Sequence, residues 1–121
     1  MNNSSLKNFE TDPTTNKIKM LRPAFFSCGC GSVTSRLASV LQFVGVPSTS
    51  IIKIRSKSHI LARKWLEQEN LYSKIPKLNN KVYGILIHPD GRYVDINDGA
   101  PVAVAKKFKE ILNVSEPDKK S

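Results

Sequence analysis

The sequence has no long hydrophobic run. None of its apolar stretches approaches the roughly 20 residues that a membrane-spanning helix needs. The polar N-terminus also lacks the apolar segment of a secretory signal after Met1. We therefore expect a protein with no membrane partner and a cytoplasmic location. An organelle stays open, although Glu10 and Asp12 make the N-terminal segment a poor match to an acid-free transit peptide.

Cysteine is scarce. The two cysteines, Cys28 and Cys30, are separated by one residue, so a disulfide between them closes too small a ring to stabilise a fold. A reducing compartment is the default expectation. The chain has two histidines and no cluster of carboxylates, so the sequence predicts no metal site and no cofactor.

Acidic residues are absent between Asp12 and Glu67, in a chain whose formal net charge is +9. A long segment whose charged residues are all basic attracts polyanions such as nucleic acid or an acidic protein partner. A solvated basic face that only aids solubility explains the same pattern. The basic residues of this region are Lys17, Lys19, Arg22, Arg36, Lys53, Arg55, Lys57, Arg63 and Lys64. Of these, the candidate polyanion-binding residues are Lys53, Arg55, Lys57, Arg63 and Lys64.

The length of 121 residues fits a single domain, and 40% apolar with 24% charged residues is ordinary for a globular protein. Residues 1–17 are rich in Asn, Ser, Thr and Lys, which predicts a disordered arm. The polar composition of residues 114–121 likewise predicts a disordered tail. The folded domain is then expected over residues 18–113.

The hydrophobic patterns predict an α/β domain with the order β-α-β-α-β-β-α. The first helix runs from Ser32 to Gly45, and Pro101 occupies the first position of the last one. The predicted strands cover residues 18–27 and 50–55 and a hairpin over 81–96 with a Pro-Asp-Gly turn. The second helix is expected to be capped by Ser56 or Ser58 and to end near Asn70, with a loop over residues 72–80.

The cysteines fall where the first strand gives way to the first helix. Such a junction offers free backbone N–H groups and the positive end of the helix dipole, which stabilise a thiolate or a bound anion. If the chain performs chemistry, we expect it here. The residues alone leave open whether that chemistry is redox, phosphoryl transfer or none, because both cysteines could be structural.

Two stretches resemble the thioredoxin-fold superfamily. They are Ala-Phe-Phe-Ser-Cys-Gly-Cys-Gly at residues 24–31 and Gly-Ile-Leu-Ile-His-Pro-Asp-Gly-Arg-Tyr-Val-Asp at residues 84–95. The resemblance implies one thioredoxin-like domain with a mixed sheet. It also implies thiol–disulfide exchange with a protein thiol or disulfide substrate.

In that hypothesis Cys28 attacks and Cys30 resolves the mixed disulfide. The helix start and Arg36 would lower the pKa of the thiol, and Pro76 is the candidate for the family's cis-proline before the third strand. This pair is one residue closer than the family's usual pair. A disulfide between residues two apart is strained and therefore easily reduced.

The stretch from Cys28 to Ser35 also resembles the phosphate loop of the enzyme IIB components of sugar phosphotransferase systems. That resemblance implies a phosphorylated Cys28 and a parallel sheet. The phosphate would lie on backbone N–H groups and hydroxyls at the helix start. The candidate anion-binding or substrate-binding residues are Gly29, Gly31, Ser32, Thr34, Ser35, Arg36 and Pro76. Cys30 and Arg36 also have the spacing of tyrosine-phosphatase loops.

The favoured interpretation is a small basic thiol–disulfide oxidoreductase that acts through Cys28 and Cys30. A non-enzymatic module that binds RNA, the ribosome or another polyanion is the alternative. A phosphocysteine-forming protein like enzyme IIB is the further alternative.

Overall fold

A computed structural model describes residues 8–55 and 58–112 of the chain. In these residues there are six strands: β1 Phe9–Thr11, β2 Ile18–Met20, β3 Ala24–Ser27, β4 Ile52–Arg55, β5 Gly84–Ile87 and β6 Tyr93–Asp95. The helices are α1 Gly31–Val44, α2 Ile60–Gln68, α3 Leu71–Lys74 and α4 Pro101–Leu112, with 3₁₀ turns at Ser48–Ser50 and Pro76–Asn79. No helix in this part of the chain is long and apolar enough to cross a membrane.

The main sheet has four strands in the order β4-β3-β5-β6 and is mixed. The central strand β3 runs parallel to β4, with Phe26 opposite Ile54, and antiparallel to β5, with Phe26 opposite Ile85. Strands β5 and β6 form the expected antiparallel hairpin. The predicted α/β class and the mixed sheet are confirmed.

A hydrophobic core lies on each face of the sheet, and because side chains alternate along a strand, successive residues enter different cores. Phe26 packs on one face against Trp65 of α2, with ring centroids 6.3 Å apart. Phe25 packs on the other face against Phe108 of α4, at 6.3 Å. All four residues of β3 are buried. The strand therefore delivers Cys28 to the edge of both cores, and this residue contacts each of them.

The predicted single strand over residues 18–27 is wrong, because two strands of different sheets share it. Ile18–Met20 pairs with β1 in a separate two-stranded sheet, and Ala24–Ser27 belongs to the main sheet. Pro23 lies directly before Ala24, where its missing N–H group cannot extend a ladder.

The prediction of a disordered arm fails for the part of it that the structure describes. Phe9–Thr11 forms β1 and pairs with β2, and Phe9 is buried against Trp65 with ring centroids 6.2 Å apart. Phe9 of β1, together with Ile18 and Met20 of β2, buries this hairpin against the core, so the low apolar content of the segment was a misleading signal. Residues 1–7 of the arm and the tail at 114–121 lie outside the described residues, as does position 113.

Helix boundaries agree with the sequence at α1 and α4 and differ at α2. Gly45 ends α1 with φ +90°, and its N–H donates to the carbonyl of Leu41 at 2.9 Å. The cap of α2 is His59, whose Nδ1 accepts the N–H of Ala62 at 3.2 Å. The predicted cap at Ser58 is wrong, because its hydroxyl donates backwards to the carbonyl of Arg55 at 3.2 Å. Ser56 lies outside the described residues.

The segment predicted as a loop over residues 72–80 contains most of α3 and a 3₁₀ turn. Three buried side chains, Leu71, Ile75 and Leu78, attach it to the core beside α2. Their spacing of four and three residues is helical, but Pro76 interrupts the segment, which is why the local pattern suggested a loop.

Candidate functional site

Cys28 and Cys30 form a disulfide at the β3–α1 junction, with their Cα atoms 5.4 Å apart. Both residues are half-buried. Cys28 follows β3 directly, and its N–H donates to the carbonyl of Tyr83 at 3.2 Å. The hydrogen bonding between β3 and β5 thus continues as far as the first cysteine and fixes its backbone.

The turn between the two cysteines is held by local hydrogen bonds. Gly29 adopts φ +80°, which favours glycine, and its N–H donates to Oγ of Ser27 at 3.1 Å. The N–H of Cys30 points back at Sγ of Cys28, at 3.3 Å. In the reduced protein this backbone donor would stabilise negative charge on the Cys28 sulfur.

Cys30 is the N-cap of α1 and makes no side-chain cap hydrogen bond. Its carbonyl accepts both the N–H and the hydroxyl of Thr34, each at 3.0 Å. The first turn of α1 contains no acidic residue, so the positive end of the helix dipole is not neutralised locally. This end of a 14-residue helix lies directly beside the disulfide.

The cation at the junction is Arg55, which the parallel β3–β4 register places opposite Ser27. Its side chain lies over the peptide between the cysteines, since a Cβ on Gly29 would be 2.8 Å from its Nε and 3.1 Å from its Cζ. The sequence had assigned Arg55 only to polyanion binding.

A cavity of about 360 Å³ opens beside the disulfide. Among the described residues, two cations and no carboxylate line it, which makes the potential there positive. Its lining residues are Ser27, Cys28, Cys30, Arg55, Ser58, Lys81 and Tyr83.

Arg36 was expected to act on the thiol, and the structure gives it a different set of partners. Its Nε donates to the carbonyl of Ile96 at 2.8 Å, and its Nη2 donates to the carbonyl of Gly99. These bonds tie α1 to the turn before α4. Arg36 does not line the cavity, where Arg55 takes the position predicted for it.

The other residues predicted at the helix start are distributed as follows. Ser32 and Ser35 are exposed on α1, and a Cβ added to Gly31 would meet open space. The Thr34 hydroxyl is bound to the carbonyl of Cys30. Their role in binding an anion stays a prediction.

Pro76 was the candidate for a cis-proline before the third strand. The described peptide bonds are all trans, and Pro76 begins a 3₁₀ turn well before β5. The residue directly before β5 is Tyr83, which is buried and lines the cavity. Sequence reasoning missed both Tyr83 and Lys81. The alternation of the hairpin was the available signal for Tyr83, and an exposed lysine carries none.

The basic residues assigned to polyanion binding lie on β4 and α2. Lys53 and Arg55 are exposed on β4, on either side of the buried Ile54. Arg63 and Lys64 are exposed on α2. Lys57 lies outside the described residues. Polyanion binding stays a prediction.

Comparison of the chain with protein-family models, curated proteins and solved structures found no match. The functional argument therefore rests on the geometry of the β3–α1 junction. That geometry combines a disulfide, an uncapped helix start and a positively charged cavity.

Proposed function

We propose that this chain is a thioredoxin-like thiol–disulfide oxidoreductase in which Cys28 attacks the substrate and Cys30 resolves. One observation carries the proposal: the two sulfurs are bonded to each other at the N-terminus of α1, in a half-buried position that borders a cavity. A pair of cysteines that served only to fill the core would have no need of a helix start or of a neighbouring cation.

The fold supports the proposal. The main sheet, α1, α2 and α4 follow the order β-α-β-α-β-β-α, and the last helix comes after an antiparallel hairpin. Both features are implied by the resemblance to the thioredoxin-fold superfamily. The antiparallel pairing of β3 with β5 does not fit the parallel sheet that the enzyme IIB resemblance implies.

The reaction starts from the reduced protein. The Cys28 thiolate attacks one sulfur of a substrate disulfide, and the substrate S–S bond breaks as the mixed disulfide forms. The departing substrate thiolate takes a proton from water. The Cys30 thiolate then attacks Sγ of Cys28, releases the second substrate thiol and closes the Cys28–Cys30 disulfide. Two protein thiols thus supply the two electrons that reduce one substrate disulfide.

Three groups favour Cys28 as the attacking residue. The N–H of Cys30 is directed at its sulfur, the helix start lies beside it, and Arg55 lies over the turn that follows it. Each stabilises the thiolate relative to the thiol, and the thiolate is the reactive form.

The test is turnover of a protein disulfide by the reduced chain, measured with wild type, Cys28→Ser and Cys30→Ser. We expect Cys28→Ser to have no activity above the reductant alone. We expect Cys30→Ser, the matched control, to accumulate a mixed disulfide on Cys28 that mass spectrometry detects. Turnover by Cys28→Ser equal to that of wild type would overturn the proposal.

A further inference from the structure

The described part of the chain puts two cations and no acidic residue into the lining of the cavity at the disulfide. Given the proposed oxidoreductase function, on which this step rests, we infer that the site selects thiol or disulfide substrates that carry a carboxylate close to the reacting sulfur. Arg55 and Lys81 are the residues that recognise this carboxylate.

Arg55 lies directly over the backbone of Gly29. Gly29 leaves the space that a Cβ would fill, and the Nε of Arg55 is 2.8 Å from where that atom would be. Arg55 lines the same cavity as both cysteines. Its guanidinium is a planar fork of N–H donors, which matches a carboxylate in two-point contact.

Lys81 reaches the same cavity from the segment before β5, two residues from Tyr83. The ion pairs of the described residues join Asp95 to Lys77, Asp98 to Lys107, and Asp90 to Arg92 and, when it is protonated, to His88. These pairs leave the charges of Arg55 and Lys81 uncompensated. A bound anion is the partner that would neutralise them.

The chemistry of the site limits which anion this is. The ligand has to present a sulfur to Cys28, so its negative charge must lie within a short reach of that sulfur. The cavity of about 360 Å³ has room for such a group beside both cysteines. A carboxylate-bearing small thiol and an acidic residue beside a protein disulfide share this chemistry.

The experiment uses three small disulfides that share a two-methylene spacer on each sulfur and end in carboxylates, hydroxyls or ammonium groups. They are 3,3′-dithiodipropionate, 2-hydroxyethyl disulfide and cystamine. The rate at which each oxidises the reduced full chain is divided by the rate for dithiothreitol, which removes the intrinsic reactivity of the disulfide. We expect the carboxylate compound to exceed the ammonium compound by about tenfold or more at low salt. The preference should shrink at high salt.

The variants Arg55→Gln and Lys81→Gln are each expected to reduce this preference by about two- to fivefold, as removal of one exposed ion pair does. Lys106→Gln is the matched control, because it removes an equal charge from an exposed position on α4 outside the cavity. Two protein substrates that differ only in Glu or Lys beside the disulfide then distinguish an acidic protein from a small thiol.

Each outcome bears on a separate claim. Equal normalised rates for the three compounds, with turnover intact, would overturn the inference and leave the oxidoreductase proposal standing. The same preference in Lys106→Gln and in both cavity variants would show that overall charge, and not this site, selects the substrate. Failure of the chain to react with any disulfide faster than dithiothreitol would overturn the proposed function itself.

Discussion

The side chain of Arg55 lies over Gly29, the residue between the two cysteines, and occupies the space that a side chain at position 29 would need. A Cβ there would lie 2.8 Å from Nε of Arg55, and the φ of +80° at Gly29 is one that other residues adopt only with strain. A side chain at position 29 would therefore have to displace the end of the Arg55 side chain, although the two residues lie far apart in the sequence.

Gly29→Ala is therefore expected to displace Arg55 and to slow the alkylation of Cys28 by iodoacetamide near neutral pH. The strained φ should also lower the free energy of unfolding by about 1–2 kcal/mol. Gly31→Ala is the matched control, because a Cβ added there meets open space. Wild-type alkylation by Gly29→Ala would show that Arg55 does not act on Cys28.

Substitution of Arg36 should change the stability of the protein, whereas substitution of Arg55 should change the reactivity of Cys28. Arg36→Gln loses the donors to the carbonyls of Ile96 and Gly99, so we expect it to lower the free energy of unfolding by about 1–3 kcal/mol. It should leave the pH profile of Cys28 alkylation unchanged. Arg55→Gln should shift that profile to higher pH with little effect on stability. Urea unfolding and alkylation rates measured on both variants check this, and the reverse pattern would restore the role first predicted for Arg36.

Gly84 is required by the core and not by its backbone conformation. A Cβ there would lie 2.6 Å from Cζ of Phe25 and 2.7 Å from Cγ1 of Val33, in the core between the sheet and α1. We expect Gly84→Ala to lower the free energy of unfolding by about 1–3 kcal/mol, as overpacking does. The denaturation midpoint measures it. A midpoint equal to that of wild type would mean that the neighbouring side chains rearrange to accept the added methyl group at no measurable cost in stability.

The side chain of Gln68 joins α2 to the N-terminal hairpin. Its Oε1 accepts the N–H of Ile18 at 2.8 Å, and its Nε2 donates to the carbonyl of the same residue at 2.7 Å. Loss of both partly buried bonds in Gln68→Ala should lower the free energy of unfolding by about 1–3 kcal/mol. Gln42→Ala, which removes an exposed amide from α1, is the control and should be close to neutral. Equal midpoints for the two variants would contradict this role for Gln68.

Asp12 makes the N-terminal hairpin sensitive to acid. Backbone hydrogen bonds from Thr14, at 2.8 Å, and then from Thr15 are the main causes that lower the pKa of Asp12 below its ordinary 3.8. Since the folded-state pKa is depressed, the stabilisation is fully present above the ordinary value. It is lost as the pH falls through the folded-state pKa.

An NMR titration of the Thr14 amide should therefore show its midpoint below pH 3.8. Asp12→Asn keeps an oxygen acceptor and should abolish the titration. A midpoint at or above pH 3.8 would mean that the backbone hydrogen bonds from Thr14 and Thr15 do not stabilise the carboxylate of Asp12.

Local patterns predicted those elements whose signals lie close together in the sequence. The turn of the β5–β6 hairpin is one example, since Gly91 has φ +100° and the N–H of His88 donates to the carbonyl of Arg92 at 2.8 Å. Gly45 at the end of α1 is another. The first strand of the N-terminal hairpin was missed because Phe9 is its one buried residue, and one aromatic side chain leaves no periodic signal.

The sequence by itself determined that the two cysteines lie at a strand–helix junction, because a buried strand, a Gly-containing turn and an amphipathic helix follow one another directly. Only the tertiary structure decided which charges surround them. Arg55 and Lys81 reach the cavity, and Arg36 turns to Ile96, because parallel pairing of β3 with β4 and antiparallel pairing with β5 set which distant residues become neighbours. The pairing of β3 with β4 and with β5 joins strands that lie far apart in the sequence, so it depends on the packing of the whole sheet between its two cores.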